Sequence, residues 1–314
     1  LDNLIYALNA TLPVFLLMVC GMLFRKMGIM TPAFTEKANT YVFRVALPMS
    51  LFVQLSGISF LEVWDSGFLL FCLGATTLSV LLAALLSRAL VRPEMRGEFV
   101  QVSYRSSASL VGMAFMENLY GSAAMGSLMI LGSVPLYNMA AVLILSLMRP
   151  DRKKLEKAAV RKTLIGIVTN PIILGTLGGF LIAVLPFSMP EILKKTCSEI
   201  GKTATPIGLM AMGAQMECRE AGKCVRETAW ASFLKLVGFT MLFLPLAVLL
   251  GFRREELVAI LVMLGSASTV AGYIMAKNMG YAGVLTQSAV MVTTLLSPVT
   301  LTFWLYMLRS MGFI

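Results

Sequence analysis

A succession of apolar runs constrains this chain more than any other feature. The runs lie at about 4–24, 39–58, 66–87, 98–120, 122–148, 163–185, 195–215, 228–250, 256–278 and 284–308. A hydrocarbon core ~30 Å thick takes about 20 apolar residues per helix. Inside lipid the backbone must satisfy its own hydrogen bonds, and for runs of this length that means helices. The expected fold is an all-α membrane protein with ten transmembrane helices. Hydrophobic residues make up 58% of the chain and charged residues 13%, where a soluble domain carries about 25% charged. A disordered chain, a collagen-like fibre and an ordinary soluble enzyme are thereby excluded. The first run is too long, and too closely followed by others, for a cleaved signal peptide.

The formal net charge of +10 could point to nucleic acid or to a membrane surface. The basic residues sit in short connections between apolar runs, so the bilayer is the expected partner and nucleic acid is not. When the connections are assigned alternately to two sides, seventeen Lys and Arg fall on one side and five on the other. The positive-inside rule places the richer side in the cytoplasm. The prediction is a multi-pass protein of the cell (plasma or inner) membrane with both termini outside. There is no histidine, and the five cysteines form no C-x-x-C pair, so neither a metal nor a cofactor is called for.

The chain repeats itself. T-L-P-V-F-L at 11–16 returns as T-N-P-I-I-L at 169–174, and A-L-P-M-S-L at 46–51 as A-T-P-I-G-L at 204–209. G-A-T-T-L at 74–78 resembles G-F-T-M-L at 238–242, and S-A-S-L-V at 107–111 returns as S-A-S-T-V at 266–270. Pro, Gly and Ser recur at nearly one offset in four successive runs. The predicted organisation is a single transmembrane domain over 1–314. It comprises a first five-helix repeat at 1–148, a basic cytoplasmic linker at 149–162 and a second repeat at 163–314. An odd number of spans per repeat inverts the second copy, the architecture of secondary transporters with a site where the repeats meet.

The two S-A-S stretches fall near the centres of spans 4 and 9, so they lie at equal depth, at the midplane. Small residues let backbones approach, and serine hydroxyls can satisfy carbonyls freed by a break. Two broken helices, 4 and 9, are expected to cross there. The candidate substrate contacts from these helices are Ser107, Ser109, Gly112, Ser266, Ser268 and Thr269. Ionisable groups inside spans are functional candidates by default, which adds Arg105 and Lys235. Lys202 is expected to pair with Glu199 one turn away, and Arg44 to reach the interface. Among acids only Glu117 and Glu199 are read as lying inside a span, so the deep interior is net positive and favours an anion. Asn170, before Pro171, and Gln215, after Gly213, complete the candidate set. Pro48 and Pro206 are expected to break spans 2 and 7 symmetrically.

Together, and in order, several stretches resemble the auxin efflux carrier family, which includes plant PIN-FORMED carriers and bacterial malate permeases. They are Y-V-F-R-V-A-L-P-M-S-L-F at 41–52, T-N-P-I-I-L-G at 169–175, A-T-P-I-G-L-M-A-M-G-A-Q-M at 204–216 and L-K-L-V-G-F-T-M-L-F-L-P-L at 234–246. Y-I-M-A-K-N-M-G at 273–280 and V-T-T-L-L-S at 292–297 extend the likeness. The resemblance implies two inverted five-helix repeats, helices 4 and 9 crossing at the site, and carriage of organic anions such as auxin or dicarboxylates. The chain departs from the family where an Asn and a Pro of helix 4 are replaced by Ser107 and Ala114. In helix 9 a Pro and an Asn are replaced by Ala267 and Ala271.

The function expected is secondary transport of a small organic anion, auxin-like or a mono- or dicarboxylate, by alternating access. A homodimer is compatible with that reading. A cation-coupled antiporter or symporter of similar architecture would need a carboxylate near the crossing, and spans 4 and 9 offer none near their centres. An intramembrane enzyme is disfavoured by the missing histidine and by the absence of paired buried acids. A non-transporting receptor is the remaining alternative, and turnover in liposomes separates it from a carrier.

Overall fold

The computed structural model describes residue 13 and residues 16–57, 65–108, 116, 119–120, 124–149, 169–184, 189–216 and 222–314. Every regular element among them is helical. We number the helices α1 (16–26), α2 (Pro32–Tyr41), α3 (Leu47–Ser56), α4 (Ser66–Leu90), α5 (Arg96–Tyr104) and α6 (Ala124–Leu147). There follow α7 (Pro171–Val184), α8 (Glu191–Lys202), α9 (Ala204–Ala214), α10 (Val225–Phe233) and α11 (Phe239–Leu249). The last are α12 (Arg254–Gly265), α13 (Val270–Asn278) and α14 (Val284–Ser310). Among the described residues, five stretches are long and apolar enough to cross a membrane: Ser66–Leu90, Met125–Leu147, Gly222–Leu249, Arg254–Asn278 and Val284–Ser310.

The layering shows in how deeply these stretches are buried. The most apolar window of Arg254–Asn278 is 94% buried, whereas that of Ser66–Leu90 is 28% buried. Both are hydrophobic, so burial and not composition separates the central helix pair α12–α13 from the peripheral α4. Around α12 lie α6, α11 and α14. A second group packs through glycine: a Cβ on Gly175 of α7 would lie 2.7 Å from Pro48 Cα. One on Gly201 of α8 would lie 2.8 Å from Ser50 Cα. Only glycine lets α7 and α8 sit this close to the backbone of α3.

The two prolines predicted to act alike do not. Helix α2 runs into α3 through a π-helical turn, Val42–Ala46, which ends just before Pro48. A π-turn absorbs the ring without stopping the helix. Span 7 does stop: α8 ends at Lys202, Thr203 forms a turn, and α9 restarts with Pro206 in its first turn, where a missing N–H costs nothing. Pro171 likewise opens α7 and does not interrupt a described helix. The Asn170 Oδ1 accepts from Ile172 N at 3.0 Å and caps the helix start.

Candidate functional site

The helical ladder stops in both S-A-S regions. Helix α5 ends at Tyr104, and 105–107 are non-helical. Helix α12 ends at Gly265, and 266–269 are non-helical, with Ser266 and Thr269 extended, before α13 begins. The two breaks touch: Ser107 N–H donates to the Ala267 carbonyl at 2.9 Å. A broken helix leaves N–H and C=O groups without partners, and short polar side chains take up several of them. Thr269 Oγ1 accepts from Ala271 N at 3.1 Å, and Thr293 Oγ1 of α14 accepts from Ser268 N at 3.1 Å. Tyr137 of α6 ties both breaks together. Its hydroxyl lies 3.2 Å from Ser106 Oγ and 3.2 Å from the Met263 carbonyl.

Beside the first break is a cavity of about 330 Å³. Arg105, Ser106 and Ser107 line it from the first break, with Thr269 from the second and Ala271 from the start of α13. Ser50 and Gln54 of α3, Tyr137 of α6, Lys202 at the end of α8 and Thr205 of α9 add polar groups. The Arg105 guanidinium is the buried charge. It donates to Asn138 Oδ1 at 2.7 Å and makes long contacts of 3.5 Å to the Tyr137 carbonyl and the Met275 sulfur, while its Nε has no hydrogen-bond partner. No carboxylate of the described residues pairs with it. Lys202 is exposed and pairs with Glu199 at 2.7 Å, as its spacing predicted.

The remaining candidates are distributed. Ser266 and Ser268 belong to the second break, but they are buried outside the cavity lining and their hydroxyls have no partner. Lys235 is not in the lining either. It lies in a π-helical turn, Leu234–Gly238, and its ammonium donates to the Leu264 carbonyl at 2.5 Å. It therefore caps the interrupted end of α12, where a cation meets the negative end of the helix dipole. Asn170 is the local cap of α7. Gln215 closes α9 and accepts from Asn39 Nδ2 at 3.2 Å and from the Tyr273 hydroxyl at 2.5 Å, a network separate from the cavity. Ser109 and Gly112 lie outside the described residues.

Among the cavity-side groups that escaped the sequence reading are Gln54, Tyr137 and Asn138. Adjacent Tyr and Asn within the apolar α6 were an available signal. One acid was also misplaced, because Glu98 lies inside span 4 and is buried. Its carboxylate accepts from Gly283 N and Thr286 N, each at 3.0 Å, and from Thr286 Oγ1 at 2.9 Å. These three donors engage it at the start of α14, a position that favours a negative group. The turn requires Gly283, whose φ is +77°.

Long apolar helices, packed around a central pair whose most apolar window is 94% buried, define a helical, multi-pass membrane protein, and the cavity is lined by a buried cation with no carboxylate partner among the described residues. The chain belongs to the membrane transport protein family, whose model matches residues 6–305. That membership bears out the likeness to the auxin efflux carriers and places the chain in a family of transport proteins, not one of enzymes. One relative, a Rhizobium meliloti (strain 1021) protein named "Putative malonate transporter", is 30% identical over 146 residues. That match covers 46% of this chain and 45% of the relative, so the chain spans less than half the length of the curated protein it matches.

Proposed function

We propose that the chain is a secondary carrier of a small organic anion, built as ten helices in two inverted five-helix repeats and working by alternating access. The observation that carries this reading is Arg105. A buried guanidinium without a carboxylate partner is costly in a membrane protein, and here it lines a cavity large enough for a small molecule. An anionic ligand would complete its hydrogen bonding. The two helix breaks that meet through Ser107 and Ala267 support a site at the junction of the repeats. The name of the Rhizobium relative supports a carboxylate as the ligand.

The test is Arg105→Met in proteoliposomes. A hydrogen bond to a charged group contributes about 1.5–3 kcal/mol, so anion affinity is expected to fall roughly tenfold or more while membrane insertion is retained. Full affinity in this variant would remove the electrostatic basis of the reading. The inverted topology has its own test. Single cysteines at Lys154 and Arg253 are expected to be labelled from opposite faces, with Lys154 cytoplasmic, and labelling of both from one face would refute it.

A further inference from the structure

The charges lining the cavity can be counted, and the count narrows the ligand class of the carrier reading on which it rests. Arg105 is buried and has no carboxylate partner among the described residues. The other cation in the lining, Lys202, is exposed and neutralised by Glu199 at 2.7 Å. Lys235 directs its ammonium to the Leu264 carbonyl and does not line the cavity. Residues 109–115, which continue the first break in sequence, include no charged side chain. Among the described residues, a ligand in this cavity thus meets one uncompensated positive charge. A dianion would bring a second negative charge with no partner, and an unpaired charge is costly to desolvate.

The polar lining agrees. Gln54 donates through Nε2 to Ser50 Oγ at 3.0 Å, which leaves its Oε1 a buried acceptor with no partner. A bare acceptor repels a carboxylate. It is satisfied by a hydroxyl or by the O–H of a protonated carboxyl group. We propose that the site takes a singly charged carboxylate that also carries a hydrogen-bond donor, with the carboxylate on Arg105 and the donor directed to Gln54 Oε1. A dicarboxylate is then carried in its half-protonated form.

The other groups around Arg105 leave this count unchanged. Helix α6 presents Asn138 and the Tyr137 phenol, and α5 presents Tyr104 and the Gln101 amide. Helix α13 presents Met275 and Gly272. Phenols are neutral at and below neutral pH.

The experiment uses the full chain in proteoliposomes with equal pH on both sides. The probes are labelled malonate and its monomethyl ester, which is a monoanion across the range and so reports the protein's own response to pH. Malonate uptake, taken relative to the half-ester, is expected to rise as pH falls, by about tenfold per unit above malonate's second ionisation. Gln54→Leu is expected to lower malonate uptake at acid pH several-fold more than half-ester uptake, because the half-ester has no donor to lose. Malonate uptake that follows the dianion, or a Gln54→Leu variant that lowers malonate and half-ester uptake equally, overturns this proposal and leaves the anion-carrier reading standing. Uptake of neither probe at any pH overturns the carrier reading, and this proposal with it.

Discussion

The two breaks carry the same S-A-S tripeptide, yet their chemistry differs. The first, at 105–107, faces the cavity with Arg105, Ser106 and Ser107. Of the second, at 266–269, only Thr269 reaches the lining, while Ser266 and Ser268 are sealed in the core. The cations differ in the same way. Arg105 is held by a neutral amide and keeps an unpartnered Nε, whereas Lys235 is bound to the carbonyl that the second break frees. Sequence symmetry thus places two weak points in the helices, and the flanking residues decide which one faces the cavity. On the carrier reading proposed above, the first break would recognise the ligand and the second would hold the shape that lets it do so.

The largest expected effect comes from enlarging either break. Ser107→Leu projects into the cavity from a half-buried position and is expected to abolish transport with thermal melting unchanged. Ser268→Leu has no cavity to enter. Overpacking a dense core costs about 1–3 kcal/mol, so a clear drop in melting temperature is expected. Equal melting of the two variants would break the distinction, and normal transport by Ser107→Leu would place the site elsewhere. Next in size is the pair of cations. Arg105→Met should weaken anion binding and spare stability. Lys235→Met should leave affinity within about twofold and lower the melting temperature, since an unpaired buried carbonyl costs about 1–3 kcal/mol. Anion binding lost in Lys235→Met at unchanged stability would return that lysine to the site.

These contrasts mark what was legible in the sequence. The apolar runs and the two S-A-S stretches were visible because periodicity, depth and small size are local properties. Arg105 stood out because a charge within a span is rare. The roles of Lys235 and Glu98 were not legible, since their partners lie 29 residues away at Leu264 and 185 and 188 residues away at Gly283 and Thr286. Asn170 and Gln215 were polar points in the right spans, but one serves its own helix start and the other a network with Asn39 and Tyr273. Polarity within a span is visible in sequence, whereas the direction a side chain takes is set by packing between helices. For the same reason Pro48 and Pro206 matched in the repeat and diverged in the fold. A π-turn precedes one and a helix start accommodates the other.

The smallest contrast is between two hydroxyls, Ser106 at the first break and Ser266 at the second. Ser106 lines the cavity, and its Oγ lies 3.2 Å from the Tyr137 hydroxyl. Ser106→Ala removes that contact, and a single neutral hydrogen bond contributes a net of about 1 kcal/mol. Anion affinity is expected to fall a few-fold while transport persists, because the guanidinium is untouched. Ser266 Oγ is fully buried and has no partner. A buried hydroxyl without a partner destabilises, so Ser266→Ala removes a penalty and is expected to leave affinity unchanged and melting equal or slightly higher. The volume change is one atom in each case, so a difference between them reports what the hydroxyl does and not what space it fills. If Ser266→Ala instead lowers anion affinity as much as Ser106→Ala, both hydroxyls reach the ligand and the two breaks are chemically equivalent after all. If neither variant changes affinity, recognition rests on Arg105 and the backbone, and the serines serve only to let two helix breaks approach.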